Sequence, residues 1–142
     1  MIDVKKKILI GGVKQRIHYL SNDLNNPVLL FLHGGPGVCN RHSIVKDHND
    51  LLDTFTIVTW DQRGSGGSYF GVPKESLTIS RMVDDAEELV EWCCKEFKKE
   101  KIFVIGEAGE VNLESCFLRN IQIKYLLFSD LDRLWILLRM KR

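Results

Sequence analysis

Two stretches of the chain combine residue types suited to chemistry: His33-Gly34-Gly35-Pro36-Gly37 and Asp61-Gln62-Arg63-Gly64-Ser65-Gly66-Gly67-Ser68. The first follows directly on an unbroken apolar run, residues 28–32, and the second on a further buried strand, residues 55–60. Such runs mark strands buried on both faces, and loops leaving the carboxyl edge of a parallel sheet are where ligands bind. The first loop is almost bare of side chains, so its backbone N–H groups are available to stabilise an oxyanion. In the second, Gly64 and Gly66 allow a tight turn, and Asp61 and Arg63 are expected to tie it together by charge-assisted hydrogen bonds. Ser65 and Ser68 have no neighbouring base and read as turn residues rather than nucleophiles. Either loop alone is an ordinary turn; together, in this order and at this distance, they are specific.

The elements that must position these loops are legible from periodicity. Residues 8–20 alternate around Gly11-Gly12 and predict a hairpin of two short strands. Helix-like spacing covers residues 43–52. Thr78 is placed as the N-cap of a long amphipathic helix whose apolar stripe is Ile79, Met82, Val83, Ala86, Leu89, Val90 and Phe97. Asp84, Asp85, Glu87, Glu88 and Glu91 fall mostly outside that stripe, and Lys95, Lys98 and Lys99 sit where the helix dipole favours cations. Residues 101–106 make a third buried strand, so strands and helices alternate as in a parallel sheet with crossover connections. Beyond Gly106 the pattern loses its period, although Leu131, Leu134, Leu137 and Leu138 are spaced to line one side of a terminal helix.

The motifs HGGPG and DQRGSG-S, with the strands before them, resemble the proline iminopeptidases and their relatives among the α/β-hydrolases, from about residue 8 to Gly106. The resemblance implies an α/β fold of which this chain is the N-terminal part, with an opening hairpin, parallel strands, crossover helices and an incomplete sheet. It also implies a Ser-Asp-His triad, an inserted helical cap that recognises a peptide's free N-terminus, and release of N-terminal residues, often proline. Residue by residue, the resemblance implies that His33, Gly34, Gly35, Pro36 and Gly37 form the oxyanion loop, with Gly34 and Gly35 at its oxyanion positions and His33 and Pro36 shaping it, and that Asp61, Gln62, Arg63, Gly64 and Gly66 form a structural loop.

The departure from the family comes at the nucleophile elbow, G-x-S-x-G, a strained strand-to-helix turn that exposes the serine. Here it reads Gly106-Glu107-Ala108-Gly109-Glu110, with Ala108 in the serine slot and Glu110 in the second glycine slot. The third base of a Glu codon joined to the GC of Ala108 permits a serine codon, and reading on in that frame permits Trp, Gly and Ser. A one-base frameshift near Glu107 is therefore the expected origin of the segment that follows. On this reading residues 1–107 are the N-terminal portion of the hydrolase domain, and 108–142 an irregular or helical tail unlike the family, with no catalytic residue intact. Asp130 and Asp132 lie in that tail. His18, His33, His42 and His48 all precede the serine slot, the wrong chain order for this family's base.

Composition narrows the alternatives. A net charge of +1 leaves no positive field for nucleic acid, and no run reaches the ~20 apolar residues of a membrane span, so a cytoplasmic location is expected. Cys39, Cys93, Cys94 and Cys116 show neither C-x-x-C nor zinc-ligand spacing and read as reduced thiols, with one of Cys93 and Cys94 packed and the other wetter. No metal or cofactor is expected, and a nucleotide is disfavoured because neither G-x-G-x-x-G nor G-K-[ST] occurs. The expected partner of a complete family member is a small peptide substrate. The alternative is a non-catalytic interaction module using an exposed sheet edge and the apolar tail, with self-association as its physical outcome.

Overall fold

The computed structural model describes residues 1–33, Lys46, 49–106, 127–128 and 137–138. Gly11 and Gly12 both have positive φ, 55° and 78°, the backbone a two-residue hairpin turn demands. They join β1 (Ile2–Ile10) to β2 (Val13–Ser21), paired antiparallel from Ile2↔Ser21 to Ile10↔Val13. The predicted hairpin is present, but its first strand reaches back to Ile2. Lys6 obscured this by breaking the alternation with a charge. Its stem behaves as an apolar residue, because the ammonium lies 4.8 Å from the Trp92 ring centroid and bonds to Glu96 at 2.5 Å.

Three largely apolar segments follow as β3 (Val28–Leu32), β4 (Thr56–Trp60) and β5 (Phe103–Gly106). β3 lies between β4 and β5, parallel to both. β2 pairs antiparallel with β4, so the order across the sheet begins β1-β2-β4-β3-β5. Two short strands also pair with β5: β6 (Leu127–Phe128) parallel and β7 (Leu137–Leu138) antiparallel. Leu137 and Leu138 are thus in a strand, not in the terminal helix their spacing suggested; hydrogen bonding to β5 overrides a weak helical period. Leu131 and Leu134 lie outside the described residues.

Helix α1 (Ile79–Glu96) covers one face of the sheet. Thr78 caps it as expected, its Oγ1 accepting from the Arg81 amide at 3.2 Å. Met82, Val83, Ala86, Leu89, Val90 and Cys93 pack against Val28, Leu30, Val58, Trp60 and Val104. The intervening residues Leu29, Phe31 and Ile57 turn to the opposite face, where they meet Leu52, the period-two alternation of strands buried on both sides. Two residues depart from the predicted stripe: Ile79 is 42% exposed, whereas Asp85 is fully buried. Most of the predicted 43–52 helix lies outside the described residues; within them, Asn49–Asp53 is a 3-10 turn. Cys93 is buried and Cys94 half-buried, the split expected for adjacent helical positions. Burial, followed by Cys94 and Glu96, pushes the Cys93 thiol well above its ordinary range, which makes it inert. No helix among the described residues is long and apolar enough to cross a membrane.

The end of α1 and the start of β1 each yield a test. Lys98, exposed at the helix terminus, has φ 53° in a region that a side chain makes unfavourable. Lys98→Gly should raise stability by about 0.5–1 kcal/mol in urea unfolding; no gain would mean the backbone there is relaxed. Asp3 accepts a 2.7 Å hydrogen bond from His18 Nε2, which with the His18 and Lys5 charges holds its carboxyl below the usual range. A carboxyl depressed in this way contributes stability above its ordinary titration range and loses it as pH falls through the lowered value. Acid titration of unfolding should show a drop below about pH 4 that is smaller in Asp3→Asn.

Candidate active site

The parallel pairing of β4, β3 and β5 brings three carboxyl ends side by side. Phe31 pairs with Thr59, and Leu32 pairs with Gly106. His33, which opens the HGGPG loop, therefore stands one residue past the Leu32↔Gly106 pair on one side and beside the Asp61 loop on the other. Gly34, Gly35, Pro36 and Gly37 lie outside the described residues, as do Ala108, His42, His48, Cys39, Cys116, Asp130 and Asp132. Of the residues expected to form the oxyanion loop, His33 alone is among the described residues.

His33 and Gln62 connect the first two loops directly. The Gln62 backbone N–H donates to His33 Nε2 at 3.1 Å, and Gln62 Nε2 donates to the His33 carbonyl at 2.9 Å. Both residues are buried. Gln62 Oε1 has no hydrogen-bond partner among the described residues.

The 61–68 loop is closed by its own hydrogen bonds. Asp61 Oδ2 accepts from the Gly67 amide at 2.8 Å, and Ser68 Oγ donates to the Asp61 carbonyl at 2.6 Å. Ser68 Oγ also accepts from the Arg16 amide at 2.7 Å, and Ser65 Oγ donates to the Gln62 carbonyl at 2.8 Å. Both serine hydroxyls are committed to backbone, in keeping with a turn role. Gly64, at φ 76°, leaves room for Leu77, whose Cδ2 would lie 2.8 Å from any Cβ placed there.

Arg63 departs from the expectation that it ties its own loop together. It instead reaches Asp85 of α1: Nε to Oδ2 at 2.5 Å and Nη2 to Oδ1 at 2.9 Å, a bidentate pair. Nη2 also donates to the Gly11 carbonyl at 3.1 Å. Asp85 Oδ2 accepts from Gln15 Nε2 at 2.8 Å, and Gln15 Oε1 accepts from Trp60 Nε1 at 2.9 Å. Arg81 adds a bond to Asp85 Oδ1 at 3.0 Å and one to Glu88 at 2.9 Å, while Glu88 Oε2 accepts from the Gly11 amide at 2.7 Å. Burial works against the Arg81 charge, but Asp85, Asp84 and Glu88 outweigh it and hold the guanidinium above its ordinary range. A side chain at Gly11 would collide with Asp85 and Arg63. Sequence reasoning passed over Asp85 by sorting helix charges to the solvent face. The available signal was its place three residues after Met82 and four before Leu89, on the buried stripe.

The described residues hold no group of three His, Cys, Asp or Glu side chains that could bind a metal. What the described part of the edge offers is the 61–68 loop, braced from behind by the Arg63–Asp85 pair.

Residues 27–107 match the alpha/beta hydrolase fold family. The chain therefore belongs to that family. It is 37% identical over 108 residues to the probable aminopeptidase YbaC of Bacillus subtilis (strain 168), an alignment covering 75% of this chain and 34% of that protein. Proline iminopeptidase PfmaB of Pestalotiopsis fici (strain W106-1 / CGMCC3.15140) is 36% identical over 61 residues, 43% of this chain and 21% of its own length. The chain thus spans about a third or less of these curated relatives. Among solved structures, the proline iminopeptidase-related protein TTHA1809 from Thermus thermophilus superposes with a TM-score of 0.68 at 24% identity, over 85% of this chain and 41% of that one. Epoxide hydrolase VrEH1 from Vigna radiata gives 0.65 at 21% identity, over 83% and 34%. Both show the shared fold.

Breaking the Arg63–Asp85 pair from one side strands a buried charge. Asp85→Ala or Arg63→Met should each cost about 3–5 kcal/mol in urea unfolding, and the double change Arg63→Met/Asp85→Leu much less than their sum. Additive losses would show that the two side chains act independently.

Proposed function

We propose that this chain carries the oxyanion side of a serine hydrolase of the proline iminopeptidase type, and that as sequenced it does not itself perform acyl transfer. The fold-family match and the relatives named as aminopeptidases support the first half. One observation carries the second. β5 ends at Gly106, which opens the stretch matching the family's elbow, and the residue in its serine slot is Ala108. Acyl transfer needs a hydroxyl there beside a base, and a methyl group supplies neither bond nor proton.

On this reading Gly34 and Gly35 are the oxyanion donors, and Asp61, Gln62, Arg63, Gly64 and Gly66 support them. Residues 1–107 are the hydrolase portion, and 108–142 derive from a shifted frame. The substrate class of a complete relative is a short peptide with a free N-terminus, and the setting is cytoplasmic. The interaction-module reading draws on β1, which among the described residues pairs on one side only and stands at the end of the strand order. Its self-association would appear as concentration-dependent mass in sedimentation.

Incubation with a prolyl chromogenic amide should give no turnover above buffer, and a serine-directed fluorophosphonate should leave the chain unlabelled. Stoichiometric labelling would refute the reading. Codons incompatible with AGC-TGG-GGA around Glu107 would remove the frameshift account while leaving the inactivity in place.

A further inference from the structure

Within the interaction-module reading, on which this step rests, we infer that the free edge of β1 takes up an acidic partner strand: an extended peptide in which carboxylates alternate with apolar residues.

The edge supplies the backbone half of such a site. Among the described residues β1 stands at the end of the strand order and pairs with β2 alone. Hydrogen-bonded and non-bonded pairs alternate along an antiparallel ladder, so every second residue of β1 turns its N–H and C=O away from β2. Those groups are a template for an added strand.

The two faces of the hairpin supply the side-chain half. Ile2, Val4 and Ile8 are half-buried against the core on the α1 side, and Lys6 beside them is bonded to Glu96. Asp3, Lys5, Lys7 and Leu9 alternate onto the opposite face. The register sets His18 across from Lys5, Arg16 across from Lys7 and Lys14 across from Leu9. Lys5, Lys7 and Lys14 are exposed and Arg16 is half-buried, yet none of the four has a salt-bridge partner among the described residues. Asp3, the only acid in either strand, is hydrogen-bonded to His18 at 2.7 Å. Arg16 is also held in place: its N–H donates to Ser68 Oγ, and its stem lies so near Gly67 that a Cβ there would sit 2.5 Å from Cδ. Like charges directly opposite each other, as at Lys7 and Arg16, cost stability. A carboxylate laid beside Lys5 and Lys7 would relieve that repulsion.

These features select the occupant. A second copy of the chain would bring its own Lys5, Lys6 and Lys7 to the same edge, where like charge opposes pairing. A nucleic acid would satisfy the cations but has no backbone N–H and C=O with which to continue a ladder. A strand with an acid at every second position does both, its carboxylates beside Lys5 and Lys7 and its apolar residues extending the row of Ile2, Val4 and Ile8.

A fluorescent nine-residue peptide, the length of β1, alternating Glu with Val, should bind the full chain in anisotropy titrations. Affinity should fall several-fold as ionic strength rises from about 0.05 to about 0.5 M. Lys5→Glu/Lys7→Glu, at two exposed positions, should weaken binding roughly tenfold or more without lowering the melting temperature. The same peptide with every backbone nitrogen methylated keeps its charges but loses its ladder donors, and should bind no better than a Lys–Val peptide. Equal binding of the methylated peptide, or tighter binding of a uridine oligonucleotide, would overturn strand addition. No peptide binding together with concentration-dependent mass in sedimentation would sink the acidic partner and leave the interaction-module reading standing. Peptide binding by a chain that a fluorophosphonate labels would sink that reading and leave the docking edge intact.

Discussion

The fold is organised around one carboxylate. Asp85 has no exposed surface, yet its two oxygens accept from Arg63, Arg81 and Gln15, which belong to the loop after β4, to α1 itself and to the hairpin. An ionised group in an apolar interior is tolerated only when its lone pairs are engaged with good geometry. That condition dictates the neighbours: a bidentate guanidinium in front, an amide to the side, and a second guanidinium balanced by Glu88. Hydrophobic contacts would hold α1 against the sheet in several registers. A carboxylate with four donors fits in one.

Because Arg63 sits within the loop that follows β4, the same pair that anchors the helix also aims the candidate site. The loop's internal bonds, Asp61 to Gly67 and Ser68 to Asp61, give it shape. Arg63 gives it position, and Gln62 passes that position on to His33. Three consecutive residues thus face three ways, inward to the loop, across to the neighbouring strand, and back to the helix. The glycines allow the backbone to turn sharply enough for this.

Much of the scaffold could be read in advance, because uninterrupted apolar runs and glycine-bearing loops have few alternative explanations. Val28–Leu32, the hairpin turn at Gly11 and the Thr78 cap fall where their residue types place them. The failures share a cause. Lys6 and Asp85 are charged, and a periodicity argument assigns charge to solvent. Lys6 instead lays an aliphatic stem over Trp92, and Asp85 is neutralised by a residue 22 positions away. No local pattern encodes a partner that distant. Arg63 was likewise expected to serve its own loop, when its three-dimensional partner lies on α1. At the site, the type of His33 was visible, but the direction of its hydrogen bonds was not, since that depends on β3 and β4 being adjacent.

The Gly11 peptide is held at both ends, its N–H by Glu88 and its C=O by Arg63, and this has a kinetic side. A hairpin can zip by itself in about 1–10 μs from neighbouring contacts, but these two bonds close loops of 77 and 52 residues. During synthesis the turn would therefore wait, formed but unfastened, until the helix had left the ribosome. Over that interval β1 and β2 are a two-stranded ribbon of marginal stability, and the lysines along β1 are its main defence against pairing with another nascent chain.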